Sequence, residues 1–146
     1  MEGELTYPLI AIAGIGELEV HREPSTLTTS YAKRVRLGWY RGMQLISSDL
    51  RQSVVRSATV LGGVGPFWGF SLTYSRRVRL ALEIDSPREI SLQECKAVVT
   101  GAMAKAPHFW QSAVAGPSLT GWQRCVREAP DLATIIHTIE ARELAA

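Results

Sequence analysis

A chain of 146 residues with 46% hydrophobic and 21% charged residues can bury a core without disulfides or metals, and that composition excludes a mainly disordered polypeptide. Its longest apolar runs, such as residues 8–15, fall far short of the roughly 18 that a membrane-spanning helix needs, and Glu2 and Glu4 stand where a secretory leader would carry bases. A cytoplasmic protein with no membrane partner is expected. Net charge is only +2, yet residues 22–79 hold ten bases against two acids, an asymmetry suited to an acidic protein, nucleic acid or an anionic ligand.

In chain order, residues 9–20 begin as a continuous apolar run and turn to alternation after Gly16, which predicts a strand, a bend at residues 14–16 and a second strand or a continuation. Pro24 and Ser25 break that unit. Over residues 27–37, Tyr31, Val35 and Leu37 alternate with Ala32, Arg34 and Arg36, a pattern that favours a strand over a short helix. Further strands are predicted at residues 43–46, 53–61, 67–74 and 77–84, with turns at Ser48-Asp49 and Gly62-Gly63. In the last of them Val78, Leu80, Leu82 and Ile84 share a core face, while Arg77, Arg79, Ala81 and Glu83 share a wet one.

After Asp85 the period becomes helical. Ser91 and Glu94 have the spacing of a capping box, and Leu92, Cys95, Val98, Val99 and Met103 fall on one face of a helix that Pro107 ends. A second helix, signalled at residues 120–123, turns Trp122, Cys125 and Val126 inward. A last one from Asp131 carries an apolar stripe of Leu132, Ile135, Ile136 and Ile139. Strands first and helices after give a single α+β domain over residues 1–146: an antiparallel sheet in the N-terminal two-thirds, covered on one face by the C-terminal helices.

Most familiar chemistries lack their residues. In the string AGIGEL the third glycine of a dinucleotide-binding fingerprint falls at Glu19, and a strand pattern follows instead of a helix. The glycines of residues 62–69 lead into Phe70-Ser71 and not the Lys-Ser/Thr of a phosphate loop. His21, His108 and His137 are scattered, and Cys95 and Cys125 form no CxxC, so no metal or other cofactor is expected and both thiols read as buried and free. Ser47-Ser48-Asp49 reads as an ordinary turn. Glu17 and Glu19, like Glu83 and Asp85, fall on the wet face of a strand, where nothing raises a carboxyl pKa toward acid–base duty. A non-enzymatic protein is therefore expected.

What stands out is the segment over residues 41–70, alternating strands that run into a glycine-rich turn bearing Phe67, Trp68 and Phe70, with arginines around it. Tryptophan and arginine are the residues enriched in binding hot spots, so Arg41, Arg56, Trp68, Arg76, Arg77 and Arg79 are the candidate partner-binding residues. Tyr40-x-Gly42, Leu45-Ile46-x-Ser48-Asp49, Val55-x-x-Ala58 and the run from Leu61 to Gly69 together resemble a pattern of short uncharacterised bacterial proteins associated with toxin–immunity loci. The resemblance covers about a fifth of the chain and implies an immunity protein or inhibitor that occludes the active site of an acidic partner. Two alternatives stay open. One is nucleic-acid binding by a basic sheet face, with Lys33, Arg34, Arg36, Arg76, Arg77 and Arg79 on phosphates and Tyr40 or Trp68 stacking on bases. The other is a small enzyme whose site is assembled from distant residues.

Overall fold

Gly14 and Gly16 make the first turn. In the computed structural model, which describes residues 5–63, 77–111 and 117–144, β1 (Leu9–Ile12) and β2 (Leu18–His21) pair antiparallel. Ala13 N–H donates to the Glu17 carbonyl at 2.9 Å and Gly16 takes φ +95. The expected strand over residues 27–37 is corrected: α1 (Pro24–Leu27) leads into β3 (Thr29–Tyr31), only three residues long, and then α2 (Ala32–Arg36). Ala32, Lys33 and Arg34 are good helix formers. Ala32 and Val35, three apart, both pack against the apolar cluster beneath, so helix wins over alternation.

The chain returns as β4 (Gln44–Ser47), β5 (Arg51–Gly63) and β6 (Arg77–Ile84), with β7 (Arg88–Glu89) added beside the start of β5. The sheet order is β2-β1-β4-β5-β6-β3, with every pairing antiparallel. Gly62 and Gly63, expected in a turn, are the end of β5, paired with Arg79 and Val78 of β6. The strand expected over residues 67–74 lies outside the described residues.

Alternation in β1, β4, β5 and β6 loads both faces of this sheet. Leu9, Ala11, Leu45, Val55, Val78 and Leu80 point into a concave side closed by Leu27, Tyr40 and Met43 from α1 and the segment after α2. Ile10, Ile12, Leu18 and Ile46 point the other way, onto four helices: α3 (Leu92–Lys105), α4 (Pro107–Gln111), α5 (Leu119–Glu128) and α6 (Leu132–Leu144). The expected α+β arrangement is thus present, with one sheet face under the C-terminal helices. The expected faces of α3 and α6 are buried: Cys95, Val99 and Met103 on one, Leu132, Ile135, Ile136 and Ile139 on the other. On α5 Trp122 and Val126 are buried, but Cys125 is exposed, contrary to expectation.

The helices are started and tied down locally. Ser91 Oγ accepts from Glu94 N–H at 3.0 Å, Ser118 Oγ from Gly121 N–H at 3.3 Å, and Asp131 Oδ1 from Thr134 N–H at 2.9 Å. Pro107 ends α3 as expected but also opens α4, which brings Trp110 into the core in edge contact with Trp122 at 5.7 Å. Lys96 Nζ donates to the Arg127 carbonyl at 2.8 Å, and the Arg142 guanidinium lies 4.2 Å from the Phe109 ring centroid. With the Arg142 Nε–H donating to the Phe109 carbonyl at 2.8 Å, these contacts engage two buried cations where α3 meets α5 and α6 meets α4.

Candidate functional site

On β6 the core residues Val78 and Leu80 turn inward, so Arg77 and Arg79 stand together on the outer face of the sheet. β3 places Tyr31 directly opposite Arg77, and Thr29 opposite Arg79. A cross-strand pair brings its Cβ atoms within about 5.5 Å. Tyr31 is 41% exposed. Among the described residues neither arginine has an ion-pair partner, so the result is an exposed aromatic on β3 beside two guanidiniums on β6.

The remaining expected residues do not all join it. Arg56 is ion-paired to Asp85 and lies 4.0 Å from Glu83, toward the end of β6 away from Arg77, so it faces two carboxylates of its own chain. Arg41 lies in the segment between α2 and β4. With Val35, Arg36, Gly38, Tyr40, Ser57 and Ala58 it lines a separate cleft of ≈ 320 Å³. Trp68 and Arg76 lie outside the described residues. Of the groups expected to touch nucleic acid, Tyr40 is buried at 5% exposure and offers no face to a base, while Arg34 is ion-paired to Glu19 at 3.2 Å and stacked 4.6 Å over Trp39.

A polar cluster on β2 is not anticipated by spacing alone. Glu19 and His21, two apart on one strand face, pair at 3.2 Å through Nε2; Arg34 reaches Glu19 from α2; and His21 Nδ1 lies 2.9 Å from Thr26 Oγ1. The chain Thr26–His21–Glu19 has the outline of a nucleophile relay. The Thr26 hydroxyl, however, donates to the Glu23 carbonyl at 2.9 Å, so its proton is engaged in closing α1 and the imidazole is not acting as its base. The hydrogen bond from His21, helped by Arg34, holds the Glu19 carboxyl below its ordinary range against the effect of burial.

Beside this cluster Glu17, Glu19 and Glu143 line an acidic pocket of ≈ 200 Å³ with Leu18 and Phe109. The expectation that Glu17 keeps an ordinary carboxyl is corrected. Burial first, and repulsion by Glu19 second, push it up, and burial does the same to Glu143. Burial also raises the Cys95 thiol to about 11, which leaves it protonated and unreactive. Among the described residues no three His, Cys, Asp or Glu side chains are placed to hold a metal ion, and no helix is long and apolar enough to cross a membrane. No protein-family model, curated protein or solved structure matches this chain.

Proposed function

We propose that this protein is a non-enzymatic binding module of the inhibitor or immunity type, which neutralises an acidic protein partner by covering its active site with the outer face of β3 and β6. The observation that carries this reading is the Arg77–Tyr31–Arg79 group. Two guanidiniums with no ion-pair partner among the described residues steer an acidic surface into place, and an exposed tyrosine beside them supplies apolar contact at low entropic cost. Arg56, paired with Asp85 and near Glu83, lies apart from this group, which centres the surface on the Arg77 end of the sheet. The engagement of Arg34 and the burial of Tyr40 remove two contacts from the nucleic-acid alternative.

The test compares the wild-type chain with Arg77→Glu/Arg79→Glu as immobilised baits in lysate of the source cell, with and without nuclease. One protein retained by the wild type after nuclease treatment, lost by the double variant, and inhibited by the purified wild type at one-to-one stoichiometry is the expected result. Nuclease-sensitive retention transfers the face to nucleic acid. Equal retention by both baits removes these arginines from the interface.

A further inference from the structure

The cleft at Arg36 and Arg41 has a different character from the outer face. Measured along β5, its Ser57 wall is five residues from Gly62, the partner of Arg79, or about 16 Å of strand. The backbone that presents Arg41 is fixed on both sides. Tyr40 and Met43 are buried in the concave core, Gly42 takes φ +76 to make the turn, Gly42 N–H donates to the Val55 carbonyl at 2.9 Å, and Val55 N–H returns to Met43 at 2.8 Å. Arg36 approaches from the end of α2, whose Val35 is held against the same core.

Among the described clefts, this one alone is lined by two arginines and no acid, and its Ser57 hydroxyl donates outward to the Glu83 carboxylate at 3.2 Å. The pocket at Glu17 is lined by three carboxylates, the one at Arg22 has that residue paired to Glu140, and the one beside Gly14 carries Lys105 as its one charged residue, with Gln44 among otherwise apolar neighbours. Arg36 and Arg41 have no ion-pair partner among the described residues. Neighbouring like charges in a concavity repel each other, and an anion that enters turns that repulsion into attraction. Guanidinium forks match paired oxyanion oxygens in bidentate geometry, and a cleft of this size is at the lower end of small-ligand sites.

We propose that the Arg36–Arg41 cleft is a binding site for a small, multiply charged oxyanion, with both guanidiniums as its forks and Val35 and Ala58 as its apolar wall. The site is independent of the partner-binding face. Its test is titration of the ¹⁵N-labelled full chain at low salt with inorganic pyrophosphate and, separately, with citrate. Saturable shifts centred on Arg36, Gly38, Arg41 and Ser57 are expected, with a Kd on the order of 1 mM or tighter. Arg36→Gln and Arg41→Gln each weaken it about tenfold, and Arg124→Gln, which removes one exposed charge elsewhere, does not. Arg36→Lys and Arg41→Lys keep the charge without the planar fork. They lose less, and they serve in place of a Gln variant that unfolds.

Tighter binding of pyrophosphate assigns a phosphorylated ligand, and tighter binding of citrate a polycarboxylate. Shifts that stay linear with concentration, that centre on other basic residues, or that weaken equally in Arg124→Gln overturn the proposal.

Discussion

At the scale of single residues, Glu19 ties β2 to α2: it pairs with the His21 ring on its own strand and with Arg34 of α2. Replacing it by Gln leaves Arg34 and His21 without their anion, and a loss of about 1–3 kcal/mol at neutral pH is expected from urea unfolding. The pH dependence has a definite sign. The native carboxyl titrates below its ordinary value near 4.5, so its contribution is complete above that value and is lost as pH falls through the lowered native one. The gap between wild type and Glu19→Gln therefore closes in acid, and a gap that persists there would refute the ion-pair account. Glu17, raised by burial, carries the opposite sign: its charge costs stability above its native pKa, and protonation relieves the cost. The two-residue spacing of Glu19 and His21 is visible in the sequence. Their setting is not, because Arg34 and Glu143 arrive from separate helices, and no local pattern reports which helix packs beside a strand.

Among the elements, helix starts are the most legible because a cap is a local event. Ser91 and Glu94 stand three apart, and the serine does accept the Glu94 N–H. The reciprocal half of the box is diverted, as the Glu94 carboxylate faces Arg88 at 3.5 Å and ties β7 to α3. The α2 segment shows the limit of periodicity: over five residues an alternating and a helical pattern overlap, and the packing of Ala32 and Val35 decides. The β1–β2 turn gives a sharper test of how elements meet. A Cβ at Gly16 would sit 2.7 Å from the Ala102 carbonyl and 2.6 Å from Lys105 Cβ on α3, on a backbone at φ +95. Gly16→Ala is therefore expected to cost more than about 1 kcal/mol, since the left-handed conformation and the contact with helix backbone both oppose it. Thermal melting measures this, and an unchanged Tm would mean that the turn is not held against α3.

For the whole molecule, the decisive fact is that β1 and β4 are buried on both sides. For β1 the sequence carries this as a continuous apolar run in residues 9–13, the mark of a strand covered on both faces, whereas β4 is bounded by Gln44 and Ser47 and shows no such run. The second cover, made by α1, α2 and the segment up to Met43, is written over distant residues that have no joint periodicity. The same distinction applies to the candidate site: Arg77 and Arg79 on one face follow from alternation, whereas Tyr31 opposite Arg77 depends on β3 crossing to pair with β6. Since neighbours such as Leu45 and Ile46 fill different clusters, neither half of the core can loosen without exposing the back of the strands that support the other. Leu45→Ala and Ile46→Ala are each expected to cost about 2–5 kcal/mol and to shift one shared transition. Far-UV circular dichroism reports the whole chain, while among the described residues tryptophan emission weights Trp110 and Trp122 on the helical side and Trp39 on the concave side, so Trp68→Phe serves as the background for both variants. Coincident urea midpoints for both signals in both variants are the expected result. If Leu45→Ala moves one signal and leaves the other in place, the two clusters unfold separately and β1 and β4 are not the shared spine.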